Sequence, residues 1–426
     1  MAESQERIIV GLDIGTTKVC AIVGRANQYG KVDILGMGKV SSHGGVTRGV
    51  VSNIDKTVLA IQEAIKEAAL KSNVDIRKVQ VGIAGAHINS LQHKGMIIRN
   101  DRESEINKDD LEKLENDMFK LAVKPGDRII HVLPQDYTVD DEPGILDPVG
   151  MSGVKLEGNF HIITGQISAA KNIYKCVEKS GLKVSELALE PLASAEAVLS
   201  KEELEAGVVL VDIGGGTTDV AIFHDGIIRH TAIIPYGGNI ITEDIKEGCN
   251  VMKAHAEALK IKFGSALANE LSENEIVSIP GIRGREAREI SIKNLSMIIQ
   301  ARVEEILELV YYEIKASNVK NLAGGIVLTG GGSQLKHISQ LAEFITGLDA
   351  RIGYPNEHLA KGMVDEVKSP IYATSVGLVL RGLAEERSQI NIVAGSVEDV
   401  VTPRKSPLFE RIKDWLKDEA DVPDYK

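Results

Sequence analysis

Val211-Asp212-Ile213-Gly214-Gly215-Gly216-Thr217-Thr218-Asp219-Val220-Ala221-Ile222 decides how this chain is read. An apolar run ends in an aspartate, a Gly/Thr turn follows, and a second apolar run leaves it, which is the pattern of a β-hairpin. The same device stands 199 residues earlier as Leu12-Asp13-Ile14-Gly15-Thr16-Thr17-Lys18-Val19-Cys20-Ala21-Ile22. The second copy is expected to carry two extra turn residues. Two copies half a chain apart indicate two homologous domains facing each other. The spacing far exceeds the repeat of a solenoid, which reaches about 50 residues.

Each copy places a carboxylate at the end of a buried strand and a Gly/Thr turn beside it. Glycines let backbone N–H groups approach a phosphate closely, and threonine hydroxyls add donors. A carboxylate does not face a polyphosphate without a cation between them. Asp13 and Asp212, from opposing domains, therefore suggest Mg²⁺ held through water to a nucleotide. A third turn, Leu328-Thr329-Gly330-Gly331-Gly332-Ser333, follows a third strand. It offers backbone either to an adenine ring or to an α-phosphate. A GxxxxGK[ST] loop and a strand-linked GxGxxG are both absent from the sequence.

Outward from the hairpins, Ile8–Leu12, Val19–Val23, Val32–Gly36 and Val79–Ala84 read as strands. Ile54, Val58, Ile61, Ile65 and Ala69 mark an amphipathic helix over 54–71. Residues 85–165 read as an inserted unit, with a charged helix over Lys108–Val123 and short strands at Arg128–Leu133 and His161–Thr164. A Gly/Pro-rich loop is expected over Asp140–Gly158. Helices are expected to dominate 235–318, including one over 294–317. A final helix over 371–384 precedes a polar linker and a last short helix.

With 49 basic and 61 acidic residues the chain carries −12, against the basic footprint of a nucleic-acid binder. Cys20, Cys176 and Cys249 are widely spaced, which disfavours a disulfide framework or a zinc site. The N-terminal segment has no apolar signal core, and no run approaches 18 apolar residues. A soluble cytosolic chain is expected, unless something anchors it from outside the bilayer.

The order of phosphate hairpin, connecting helix, second phosphate hairpin and GG-containing turn resembles the actin, Hsp70 and sugar-kinase ATPases. Within that superfamily the chain is similar to the FtsA cell-division family from Ile8 to the last helix. The likeness rests on GLDIGTTKVCAIVG at 11–24, EPLASAEAVL at 190–199, DIGGGTTDVAIF at 212–223, the YGG-N-IT-DI stretch at 236–245 and AEALKIKFG at 256–264. The place of the insert adds to it.

The resemblance implies an α/β fold: an actin-like two-domain ATPase with duplicated, mixed-sheet, RNase H-like domains, an inserted FtsA-type subdomain and a C-terminal amphipathic helix. Core domain 1 is assigned 1–84, 166–198 and 371–385. The insert is 85–165, core domain 2 is 199–234 with 319–370, and a helical subdomain spans 235–318. A flexible linker, 386–406, and a membrane-targeting helix, 407–418, complete the chain.

Carried over by the same resemblance, Asp13, Gly15, Thr16, Thr17 and Lys18 form the first phosphate motif. Gly214, Gly215, Gly216 and Thr217 form the second, with Asp212 at its base. Glu190 is the acidic position that orients water in hydrolysing relatives. Glu257 and Lys260 contact ribose or base, and Gly331, Gly332 and Ser333 make the adenosine turn. ATP and Mg²⁺ are the implied cofactors, with Asp13 and Asp212 on the metal side. At most a weak ATPase is expected, since the sequence suggests no arginine finger in cis.

Arg283, Arg285, Arg288, Lys293 and Arg302 outnumber Glu286 and Glu289 over 283–302, a basic helix suited to an acidic peptide. The resemblance points to the FtsZ C-terminal tail there, with Lys293 and Arg302 as contacts. At the C-terminus Leu408, Phe409, Ile412, Trp415 and Leu416 share one helical face opposite Arg411, Lys413 and Lys417. That is the pattern of an interfacial membrane helix. Acidic Asp418, Glu419 and Asp421 follow it directly.

The reading is an ATP-binding protein that polymerises on the cytoplasmic face of the membrane at the septum. It would tether FtsZ and meet other division proteins through 85–165. The alternatives are a small-molecule kinase of the same superfamily, a chaperone of the Hsp70 kind, and a pilus-assembly relative.

Overall fold

The computed structural model describes residues 8–99, 104–272, 275–279, 287–362 and 364–395. Two sheets are built around the two hairpins. The first has six strands in the order Lys183–Leu189, Lys78–Ile83, Ile8–Ile14, Lys18–Ala26, Val32–Ser41, Leu359–Gly362. The second has five, in the order Ile227–Ile234, Thr218–His224, Val208–Ile213, Ile326–Thr329, Ala350–Ile352. In each, three antiparallel strands form a meander and a parallel strand pairs on its far side. The duplication legible in the sequence is thus a duplication of topology.

The hairpin registers correct one expectation. Ile14 opposes Val19 in the first hairpin and Ile213 opposes Thr218 in the second, so both turns have the same length. Both close with the same hydrogen bond: the Gly15 N–H donates to the Lys18 carbonyl and the Gly214 N–H to the Thr217 carbonyl, each at 2.9 Å. No turn residue is inserted. The 199-residue offset holds through the turn and pairs Thr16 with Gly215, Lys18 with Thr217 and Cys20 with Asp219.

Helices Glu190–Val198 and Ala373–Gly395 lie between the sheets. Ala195, Ala197, Val198, Val376 and Val379 share a core with Ile9, Cys20 and Ile22 of the first sheet and Val208, Leu210, Ala221 and Val327 of the second. Apolar burial of this kind is worth roughly 1.5–3 kcal/mol per large side chain, so the two domains meet in a shared hydrophobic layer. Helix Ile54–Ser72 covers the first sheet, capped by Asn53, which accepts from the Lys56 N–H at 3.0 Å. Its buried face is Thr57, Ala60, Ile61, Ala64 and Ala68, while Val58 and Ile65 lie at the margin. Small residues let the helix approach the sheet. Helix Ile292–Ala316 buries Leu295, Ile299, Val303, Ile306, Leu307 and Val310 along one stripe, with Ile298 at its margin.

Four further expectations change. Strand Leu359–Gly362 pairs with Val32–Ile34 of the first sheet, although 319–370 was assigned to the second domain; parallel pairing at the open edge recruits it. Helix Ala373–Gly395 runs into the segment expected to be linker. Arg288 stands on a short strand, Arg288–Ser291, paired with Ile276–Ile279, not on a helix. The loop expected over 140–158 contains a strand, Glu142–Ile145, because Asp140 and Asp141 take left-handed conformations (φ 44° and 75°) that reverse the chain. Asp140 Oδ1 then accepts from the Val154 and Lys155 N–H groups at 2.9 and 2.8 Å and fixes the next strand.

The insert is a four-stranded sheet, Ile88–Ile98, Lys155–Gln166, Asp127–Val139, Glu142–Ile145, covered by helix Lys108–Met118 over a core of Ile106, Leu114, Leu156 and Phe160. It reaches across to strand Ile227–Ile234 of the second sheet through a polar seam. Ser90 donates to the Thr231 carbonyl at 3.1 Å, Gln92 to that of Arg229 at 3.0 Å and Gln135 to that of Ile228 at 3.0 Å. The His161 Nε2 and the Thr231 hydroxyl are 2.9 Å apart.

His161 and His131 are buried in the insert, and His131 Nε2 accepts from the Leu189 N–H at 3.2 Å. Burial, aided by Arg381, pushes the His131 pKa down to about 3; burial, aided by His230, pushes that of His161 down to about 4. Unfolding returns both to about 6.5. The folded pKa values are the lower ones, so each contribution is complete above pH 6.5 and is lost as pH falls toward them. By pH 5 each histidine should cost on the order of 2 kcal/mol. His161→Gln should flatten the fall in urea midpoint between pH 7.5 and 5. A variant that follows the wild-type pH curve would count against a neutral buried imidazole.

Candidate functional site

The two hairpin turns meet. A side chain at Gly215 would strike the Thr17 methyl group and place its Cβ 3.1 Å from Thr17 Oγ1. One at Gly216 would place Cβ 2.6 Å from Thr16 Oγ1 and 3.0 Å from the Cα of Arg48. Glycine at these positions lets two turns from two domains approach backbone to side chain.

Carboxylates gather behind the turns. Asp13 ends the first strand, ion-paired with Lys18 and 3.4 Å from the Ser375 hydroxyl. Burial opposes the Lys18 charge, but Asp13, Cys20 and Asp212 together outweigh it and raise the lysine pKa. Asp212 Oδ2 accepts from Ser194 at 2.8 Å and Thr374 at 3.3 Å, the hydroxyls of the two helices between the sheets. Burial raises its pKa against the pull of the Ser194 bond.

Directly opposite Asp212 in the hairpin register is Asp219. It is 5% exposed, its Oδ2 accepts from Thr217 at 3.4 Å, and its Oδ1 is buried without a partner. Burial first, then the Asp212 charge, lifts its pKa well above the ordinary carboxylate range. The sequence reading missed this residue. The signal was the equal length of the two turns, which puts Asp219 across from Asp212 as Cys20 is across from Asp13.

Glu190 opens its helix and lies over Gly82, where a Cβ would come within 2.8 Å of the Glu190 Cγ. Its pKa too is lifted well above normal, by burial and then by Asp13, Asp219 and Asp212. The four carboxylates therefore share one field, with Lys18 as its close cation. Among the described residues no three His, Cys, Asp or Glu side chains are grouped to hold a metal ion alone. A cation seated here would need water to complete its shell, and the unpartnered Asp219 Oδ1 is an acceptor that fits one.

The other expected groups take distinct places. The Gly238 and Asn239 N–H groups donate to the Gly214 and Gly215 carbonyls, each at 2.8 Å. Lys260 Nζ donates to the Gly238 carbonyl, the Thr242 hydroxyl and Glu257, each at 2.8 Å. Glu257 and Lys260 are thus tied to the Gly214 flank of the second turn. Burial lowers the Lys260 pKa against the opposing Glu257 charge. Gly330 has φ +80°, and a Cβ there would collide with the Asp212 carboxylate and the Ile213 carbonyl. Gly332 packs on Ile213, the Ser333 hydroxyl donates to the Gly330 carbonyl at 2.8 Å, and a Cβ at Gly331 would sit 3.9 Å from Ile371.

Lys293 and Arg302 lie apart from this cluster, on helix Ile292–Ala316. Arg302 is not a free cation: it grips Asp244 through Nε at 2.6 Å and Nη2 at 3.0 Å, and also pairs with Glu305. Arg283 and Arg285, and the expected membrane face of Leu408, Phe409, Ile412, Trp415 and Leu416, lie outside the described residues. No helix among the described residues is long and apolar enough to cross a membrane.

Comparison with known proteins agrees with this architecture. The cell division protein FtsA of Pseudomonas aeruginosa is 42% identical over 413 residues, covering 96% of this chain and 98% of that protein. The chain belongs to the FtsA family of cell-division proteins. The FtsA family profile matches residues 209–377, and the profile of the SHS2 domain inserted in FtsA matches 85–164. Among solved structures, the PilM–PilN type IV pilus biogenesis complex is similar with a TM-score of 0.64 at 16% identity, covering 88% of this chain and 98% of that one. A structure of MreB 5 of Spiroplasma citri bound to AMPPNP gives 0.51 at 18% identity, covering 92% and 99%. The fold is the actin-like ATPase fold, and the seam-forming insert is the SHS2 domain of the FtsA family.

Proposed function

We propose that this FtsA-family chain binds Mg·ATP between its two hairpins and assembles on the cytoplasmic face of the membrane at the septum, where it tethers FtsZ. The observation that carries the nucleotide reading is the convergence of two Gly/Thr turns on four carboxylates, one with an unpartnered buried oxygen. A magnesium ion would supply the positive charge that lets phosphates approach Asp13, Asp212 and Asp219. Backbone N–H groups of 15–17 and 214–216 would hold the phosphates. Lys260 and Glu257, with the Gly331–Ser333 turn, would hold the nucleoside. Glu190 would orient water in a slow hydrolysis.

Support for the tether comes from the sequence: a Trp415-bearing amphipathic face, and self-association that lets many weak helices bind together. Lys293 and Arg302 are proposed for the acidic FtsZ tail, Lys293 as the steering charge and Arg302 through its paired face. The SHS2 domain is proposed to meet other division proteins.

Co-sedimentation with anionic vesicles tests the reading. Full-length chain should pellet with them, more so with Mg·ATP, and should bring FtsZ along. Trp415→Glu should stay in the supernatant while still binding ATP. Pelleting of that variant at the wild-type level would move the membrane contact elsewhere.

A further inference from the structure

Short hairpin Val46–Thr47/Val50–Val51 turns at Arg48 and Gly49, both left-handed with φ 48° and 75°. Such a two-residue turn favours Asn-Gly, and an arginine at its first position is strained. Strain of this kind persists where surrounding contacts impose it, and it clusters at functional sites. The contacts here are specific. The Gly49 N–H donates to the Thr16 hydroxyl of the first phosphate turn at 3.1 Å. The Arg48 Cα lies 3.0 Å from where a Cβ of Gly216 would stand, on the second turn. The backbone of Arg48 is thus wedged where the two turns meet.

The side chain of Arg48 is exposed and makes no hydrogen bond or ion pair among the described residues. An arginine spans several ångströms from its Cα, which puts an anion seated on these turns within the span of its guanidinium. Its flank is also informative. Lys260 and Glu257 are tied to the Gly214 side of the second turn, and Arg48 borders the Gly216 side. With the nucleoside at the Lys260 flank, the Arg48 flank receives the far end of the phosphate chain.

We infer that Arg48 is a nucleotide-discriminating residue: its guanidinium pairs with the terminal phosphate of a nucleoside triphosphate and finds no partner in a diphosphate. This supplies in cis the arginine that the sequence did not reveal, since a lone Arg in VTRGVV has no motif around it. The inference rests on the nucleotide reading of the cleft.

The test is calorimetric titration of the full chain with Mg·ATP and with Mg·ADP. Arg48→Asn suits the left-handed backbone and removes the charge; Arg48→Lys keeps the charge without the fork. Arg48→Asn should lose about tenfold in ATP affinity, the scale of one charge-assisted bond, with ADP affinity within about twofold of wild type. Arg48→Lys should recover part of the loss. Should the Asn variant fail to fold, Arg48→Gln carries the same comparison. An unchanged ATP/ADP ratio, or equal weakening of both nucleotides, overturns the role of Arg48 while leaving the cleft assignment in place. Wild-type protein that binds neither nucleotide overturns the cleft assignment, and Arg48 with it.

Discussion

Gly215→Val should abolish Mg·ATP binding in a chain that still folds. The new side chain would enter the space of Thr17, whose Oγ1 and Cβ stand 3.1 and 3.3 Å from the position of its Cβ. The two turns must then separate, and the backbone N–H groups that face a phosphate leave their places. Losing two charge-assisted bonds at roughly 1.5–3 kcal/mol each weakens binding by about 100-fold or more. The strands on either side are anchored in the shared core and should hold. Calorimetry beside circular dichroism decides it: wild-type affinity in a folded Gly215→Val chain would remove the touching turns from the site.

Glu190→Gln should cut whatever ATP hydrolysis the chain performs by about 100-fold or more, within the usual range for loss of a positioned acid–base group. Its carboxyl lies over Gly82, and burial, then the charges of Asp13, Asp219 and Asp212, keep its proton bound to higher pH than an ordinary glutamate. A base is active when deprotonated, so the wild-type rate should rise with pH through that raised pKa, and the Gln variant should be flat. ATP affinity should hold where Glu190 is protonated and improve above its raised pKa, where the substitution removes a negative charge from the cleft. Phosphate release at the wild-type rate from the variant would make Glu190 a structural residue of its helix.

The duplicated hairpin was legible because its signal is local: an apolar run, a carboxylate and a Gly/Thr turn, twice. Asp13, Asp212 and Glu190 lie within one another's electrostatic reach. Asp219 escaped because a side chain's face depends on cross-strand register, and a supposed two-residue insertion hid the pairing with Asp212. Arg302 was counted as free charge because Asp244, 58 residues away in sequence, becomes its partner only in the fold. Strand Leu359–Gly362 lies in the span assigned to the second domain yet pairs in the first sheet, for a related reason: parallel partners carry no turn to announce them. In the insert, Asp140-Asp141 has the composition of a loop, yet its left-handed backbone makes it a tight reversal between strands.

The seam between the SHS2 domain and strand Ile227–Ile234 is unequal in chemistry. Ser90, Gln92 and Gln135 give their hydrogen bonds to carbonyl oxygens of Thr231, Arg229 and Ile228, which every amino acid possesses. The strand can therefore exchange those side chains over generations without losing the bonds, whereas the three donors cannot change without losing them. Mutational drift should run faster on one bank of the seam than on the other. His161 with Thr231, and Asp136 with Arg229 at 3.4 Å, are joined side chain to side chain, and at those crossings a change on either bank calls for an answering change across it.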